Sequence, residues 1–394
     1  MVVGANRLAP DVVFGAKEIA VHQFPTSKWT DLANDLGGGF AARVPKHDES
    51  DAFVAENYAE LKARKVFAAG VPEELGGGGA SVADLAGMLR TLAHHCSSTA
   101  LALSMHTHIV ATAAWRWKNQ KAPVDGLLKR VVAEDLVLVS TGGADWLQGT
   151  GKATKADGGY RVTGRKIFCS GAPAGGLMMT TAVVDDPVDG PTVLQIAVPT
   201  SAAGVKIEND WKAMGMRGTG SHDISFEDVF VPDAAVALRR PSGKWHPLIH
   251  TVAMVALPVF NAVYVGVAEA ARDLALEAAK RRKDDRLVQA HAGEMENELT
   301  SAQLALARMI DIAMTGKPGV ETTVEMMCCR AILGRGTRAT VDKAMDLAGG
   351  GSFLRKNPLE RLFRDVQGVR YHPLQEKPQN VLAGRFALGL PLDD

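Results

Sequence analysis

Cysteine is scarce: Cys96, Cys169, Cys328 and Cys329 are the whole set in 394 residues. Their spacing fits neither a zinc-ligand pattern nor a disulfide framework, so free thiols in a reducing cytoplasm are expected. An excess of either charge is also missing. Lys plus Arg and Asp plus Glu number 44 each, and nothing predicts a nucleic-acid or membrane-surface partner. Met1–Pro10 lacks the basic-then-apolar pattern of a secretory signal. No internal repeat or low-complexity tract stands out.

One run lacks charge altogether. Trp245–Ala268 contains no Asp, Glu, Lys or Arg, and its length would suffice to cross a bilayer. His246, His250, Pro258 and Asn261 interrupt it, and Glu269–Lys280 continues it with charges at helical spacing. A core helix, apolar all round, is the expected state, and no membrane span.

What is present is apolar: 46% of the chain is hydrophobic, enough for a large core in two or three units. Asp51–Lys65 and Val82–His94 carry apolar residues at three- and four-residue intervals, and Ser97–Trp117 reads as a further helix bearing His106 and His108. Texture changes near Asp135. Leu136–Ser140, Tyr160–Cys169, Leu177–Val184 and Val193–Val198 are rich in Val, Ile, Thr and aromatics, with Gly, Asp and Pro between them. From about Pro247 four or five long helices follow, which suggests a bundle. The expected fold is α+β, with a helical unit over residues 1–133, a β-domain over 134–240 and a helical bundle over 241–394.

Near the end, Gly349–Gly351 is followed by Glu360, Arg361, Arg364 and Asp365, then Tyr371-His372-Pro373. Glycines permit close backbone approach and arginines suit phosphate or carboxylate, so this stretch reads as a seat for an anionic cofactor.

Four patches in this order resemble the acyl-CoA dehydrogenase superfamily of flavoproteins. They are Val71–Gly79 (VPEELGGGG), Tyr160–Gly171 (YRVTGRKIFCSG), Ala213–Pro232 (AMGMRGTGSHDISFEDVFVP) and the Leu347–Asp365 segment with its Gly-Gly and Arg-Asp pairs. The resemblance implies a helical N-terminal domain, a β-barrel-like middle domain and a C-terminal four-helix bundle, assembled as a homotetramer. It implies FAD, with FMN as the alternative. Ser140, Phe168 and Ser170 take the positions that contact flavin in the family. Gly349 and Gly350 take those that meet the dinucleotide across a subunit interface, and Arg282 lies in the segment that the family sets against the pyrophosphate. Arg217 and Ser221 are the implied substrate contacts, and the Gly76–Gly79 loop walls off the active site in the family.

The family's usual base is missing. Its glutamate would fall at Pro373, between His372 and Leu374, or near Ala256 in a stretch without acids. One reading is oxidation of an acyl thioester, with His372 or Glu376 as the base and an electron-transfer flavoprotein as acceptor. The alternative is a two-component flavin-dependent monooxygenase fed by a flavin reductase. Lys166–Ala172 and Arg217–Ser221 resemble that branch, as do His372 and His106, since a histidine suits proton traffic near neutrality.

Overall fold

The computed structural model describes Phe24 and residues 26–141 and 145–393. The expectation for Met1–Pro10 lies outside them. The described residues form an α+β fold of ten helices, several short 3-10 turns and eight strands.

The first helix, α1 (Lys28–Ser50), escaped the sequence reading. Gly37–Gly39 and Pro45 sit inside it, and these are the weakest helix formers. It forms because Ser27 and Thr30 close a capping box and Trp29, Ala33, Leu36, Phe40 and Val44 bury one stripe. Next come α2 (Ala55–Ala63), α3 (Val82–His95), α4 (Ser97–Gln120) and α5 (Asp125–Ala133).

The strands β1 (Leu138–Ser140), β2 (Lys152–Ala156), β3 (Gly159–Lys166), β4 (Leu177–Asp186), β5 (Gly190–Pro199), β6 (Val205–Ile207), β7 (Ile224–Pro232) and β8 (Val236–Pro241) make one sheet. Its order is β6-β7-β3-β2-β4-β5-β8, mostly antiparallel, and β1 lies parallel to β4. Three strands, β2, β6 and β8, were not foreseen from the sequence. β2 (KATKA) has one buried apolar residue, Ala153, and β8 exposes alternate positions, so neither carries a strong apolar pattern.

The charge-free run lies in α6 (Pro247–Ala279), packed at the centre of the molecule. In its most apolar window 94% of the residues are buried. The helices α7 (Arg286–Thr315) and α8 (Val320–Ala348) pack along it, as do α3 and α4 from the N-terminal unit. Two short helices, α9 (Pro358–Val366) and α10 (Glu376–Ala387), close the chain.

The Arg-Asp pair turns out to be the joint between the three units. Asp365 is 1% exposed. Its carboxylate accepts from Ser97 Oγ on α4 at 2.5 Å, from the Met216 backbone N–H at 2.5 Å and from Arg361 at 3.2 Å. Beside it, Arg364 pairs with Glu360 one turn earlier and grips Asp48 of α1 with two bonds of 2.6 and 3.0 Å. Gly215 permits this docking, because a Cβ there would stand 2.3 Å from the Arg364 carbonyl oxygen.

Candidate active site

Where the three units meet, a cavity of about 450 Å³ opens, within the size range of ligand and cofactor sites. Two helices give it stripes at helical spacing. On α6 the stripe is Val252, Ala256, Phe260 and Tyr264; on α4 it is Leu101, Met105 and His108. Ser140, Trp146, Phe168, Ser170, Trp211 and Ser221 come from the middle unit. Tyr371-His372-Pro373, after α9, closes one end. Among the described residues no Asp or Glu lines this space.

The histidine end is built around Phe260. His372 stacks on it with ring centroids 5.1 Å apart, and His108 meets it edge-on at 6.2 Å. Tyr264 Oη lies 2.7 Å from His372 Nε2. Tyr264 is fully buried, so its hydroxyl needs an acceptor, and His372 Nε2 is the partner it has among the described residues. The phenol therefore donates, Nε2 accepts, and the remaining proton of neutral His372 sits on Nδ1. Burial pushes the Tyr264 phenol well above its ordinary value. Burial first, then the nearby charges of Arg330 and His108, hold His372 down at about 3. Burial likewise holds His108 at about 4. Both imidazoles are neutral at ordinary pH. Gly368 makes room for this contact, since a Cβ there would lie 2.8 Å from Tyr264 Oη.

The opposite wall carries a chain of hydroxyls with a fixed direction. Thr219 Oγ1 donates to the Met216 carbonyl at 2.8 Å. Its single proton is then spent, so Ser221 Oγ donates to Thr219 at 2.7 Å and Ser170 Oγ donates to Ser221 at 2.8 Å. Ser170 is left as an acceptor toward the cavity. Phe168 next to it has φ +56° and is 50% exposed, an unusual backbone state for a bulky residue. Its ring meets Trp211 at 6.0 Å, nearly perpendicular. Trp211 is held by His222 Nδ1, which accepts from its backbone N–H, and by the Met216 carbonyl, which accepts from its indole N–H. An exposed aromatic face beside a hydroxyl acceptor fits a flat, polar-edged ring such as a flavin.

Behind this wall Lys166, almost wholly buried, pairs with Asp145 at 2.9 Å. Burial pushes the Cys169 thiol up to about 12, so it packs as a small apolar group and is no nucleophile.

Several predicted site residues lie elsewhere. His106 does not reach the cavity. Its Nε2 bonds the Phe67 carbonyl at 2.8 Å and its Nδ1 accepts from Leu138 N–H at 2.9 Å. Both nitrogens are taken, and the cavity face of α4 carries His108 in its place. Glu376 opens α10 on the far side of the His372 loop, 3.7 Å from Arg338. Arg217 turns away to the carbonyls of Ala213 and Asp48. Gly349, Gly350 and Arg282 gather at the end of α8, where Arg282 donates to the Leu347 carbonyl at 2.7 Å, and none of them lines the cavity. The Gly76–Gly79 loop packs on Val71, Trp29 and Glu73 and adds no residue to it.

The sequence reading missed Tyr264, Phe260, Trp211 and a role for His108. The four-residue stripe on α6 and the 101, 105, 108 phase on α4 were available signals.

Sequence models of one family match three consecutive segments: the acyl-CoA dehydrogenase N-terminal domain over residues 39–122, its middle domain over 140–229 and its C-terminal domain over 258–376. The chain belongs to the acyl-CoA dehydrogenase superfamily and is a flavin-dependent oxidoreductase. It is 28% identical over 370 residues to "Putative acyl-CoA dehydrogenase YdbM" of Bacillus subtilis, covering 88% of this chain and 93% of the relative. It is equally 28% identical, over 396 residues, to "Pigment production hydroxylase" of a Rhodococcus species, covering 92% and 97%. Among solved structures it resembles KijD3 in complex with FMN and a dTDP-linked amino keto sugar, with TM-score 0.84, 26% identity and coverage of 94% and 96%.

Proposed function

We propose that this chain is a flavin-dependent monooxygenase that takes reduced flavin from a separate reductase and uses dioxygen. The observation that carries this reading is the cavity wall, where the described residues offer two neutral histidines and no carboxylate. Oxidation of an acyl thioester needs a base that removes an α-proton. His372, held at about 3, is a poor proton acceptor for that step, and Glu376 stands outside the cavity.

Reduced flavin supplies the electrons that activate oxygen. This chain's residues supply the rest. Ser170, with its proton already committed to Ser221, would serve as an acceptor for the N–H edge of a reduced flavin. Phe168 and Trp211 give the ring apolar surface. His372 offers Nδ1–H to an oxygen or nitrogen on the substrate side, with Tyr264 holding the tautomer. The walls are otherwise mostly apolar and aromatic, and the two cations that border them already have partners, Arg364 with Asp48 and Glu360 and Lys212 with Asp51. A neutral, largely apolar substrate with a hydroxyl or amine is therefore favoured over an anionic one.

FMN is the proposed form, in line with the FMN complex of the similar structure. FAD, the alternative, would call on Arg282 and Gly349–Gly350 for its adenylate half. A cytoplasmic homotetramer served by a flavin reductase completes the reading. Anaerobic mixing of the oxidised flavoprotein with a panel of acyl-CoAs tests it. The flavin colour should survive every one of them; rapid bleaching by any would restore the dehydrogenase reading.

A further inference from the structure

A second, smaller pocket lies behind the His372 loop. It is bounded by α8, the turn at Val369–Arg370 and the first turn of α10. Five cationic side chains border it, Arg330, Arg335, Arg338, Arg370 and Lys377, against the single carboxylate Glu376. Glu376 is only loosely paired, 3.7 Å from Arg338; Asp342, a turn along α8, also feels Arg338. The side chains of Arg335 and Lys377 make no hydrogen bond or ion pair among the described residues. Arg338 spends its Nε on the Gly334 carbonyl and Arg370 its Nε on Gln367.

Two independent features mark this as a place for an anion. The first turn of α10, a 12-residue helix, faces the pocket, and its N-cap residue Gln375 gives no side-chain cap. The two leading N–H groups, of Glu376 and Lys377 (Pro378 has none), and the helix dipole favour negative charge there. The second feature is Arg330. It is 4% exposed, yet among the described residues it has no ion-pair partner and its Nε, sealed from solvent, has no hydrogen-bond partner. Its other nitrogens bond Gln379 and the carbonyls of Val369 and His372, the last at 2.6 Å. A buried guanidinium with no carboxylate partner is costly, and an oxyanion in the pocket would offset that charge and the crowding of like charges around it. Surface solvation alone does not explain why four arginines converge on one small concavity. The residues are arginine in four of five cases, the type suited to forked recognition of phosphate.

We propose that this basic pocket is a phosphate-binding site, which takes the phosphate of a free or nucleotide-borne ligand or of the flavin tail. Through the Arg330 bond to the His372 carbonyl, an occupant would brace the loop that presents His372 to the main cavity. The site goes beyond the oxygenase reading, and the titration that decides whether it exists uses flavin-free protein, so neither result there bears on that reading.

The test is a calorimetric titration of the flavin-free full chain with inorganic phosphate at low salt. Saturable one-site binding is expected, weakened at least about tenfold in R335Q/R338Q, roughly the worth of a lost charge-assisted bond. The single variants Arg370→Gln and Lys377→Gln, both at exposed positions, should each weaken it too and guard against a double variant that fails to fold. Repeating the titration with FMN-loaded and riboflavin-loaded protein separates the sources. Competition by FMN but not riboflavin assigns the flavin tail, and undiminished binding in both assigns a free or nucleotide phosphate. No saturable binding to the wild-type chain, or equal affinity in all variants, would overturn the site.

Discussion

Tyr264 Oη and His372 Nε2 lie 2.7 Å apart, and this bond fixes which nitrogen of His372 faces the main cavity. Tyr264→Phe removes the donor and frees the tautomer. Turnover should fall by about ten- to a hundredfold, the usual range for a misplaced proton-handling group. Loss of stability should stay near 1–3 kcal/mol, the cost of one unpaired buried partner. Steady-state kinetics beside thermal unfolding separates the two effects.

The two histidines named from the sequence should behave oppositely. His106→Ala leaves the Phe67 carbonyl and the Leu138 N–H unpaired and opens a core cavity. It should cost about 3–5 kcal/mol and leave the refolded protein's flavin affinity unchanged. His372→Ala should cost far less stability and abolish most activity. Denaturant titration and turnover on both variants check this.

What the chain showed in advance, and what it hid, follows from which physical signals are local. Helical periodicity made α3, α4 and the bundle legible, and β-branched runs made β3, β4 and β5 legible. α1 was hidden because Gly37–Gly39 and Pro45 argue against a helix that capping and burial then rescue. Phe168, Ser170 and Ser221 reach the cavity because they ride two short motifs that bond to each other, Cys169 N–H to the His222 carbonyl and Gly171 N–H to the Thr219 carbonyl. His106 and Arg217 were misplaced for a different reason. A one-residue change of phase turns a side chain to another helix face, and an arginine's partners come from distant segments such as Asp48. Tyr264 was overlooked because it sits inside an apolar run that reads only as core.

Asp365 should prove the most sensitive structural residue of the C-terminal motif. Asp365→Ala strands Arg361, Ser97 and the Met216 N–H together, and removing one partner of such a buried pair costs about 3–5 kcal/mol. Cooperative unfolding should break into separate transitions for the helical and β units, visible by calorimetry.

Stability should also fall on acidification. His106 and His108 are held at about 4 and His372 at about 3, below the ordinary value of about 6.5. Between those values the unfolded chain binds protons that the folded chain refuses, so unfolding free energy rises with pH. The contribution is fully present above about pH 6.5 and is lost as pH falls toward the folded values. Midpoints of thermal unfolding between about pH 7 and 4 should drop steadily, and His372→Gln should flatten the slope by up to one proton.

Ser170→Ala removes the acceptor at the end of the hydroxyl chain. Reduced flavin should bind about ten times more weakly, the scale of one lost hydrogen bond. Oxidised flavin, which lacks the N5 proton, should be less affected. Titrations of both redox forms under anaerobic conditions give the comparison.

The most direct test of the oxygenase reading is rapid mixing of the protein, loaded with reduced FMN, with oxygenated buffer. An absorbance belonging to neither reduced nor oxidised flavin should form and outlast the oxidation of free reduced flavin in the same buffer, and Ser170→Ala should shorten its life. Direct conversion to oxidised flavin at the free-flavin rate, unchanged by that substitution, would contradict the account.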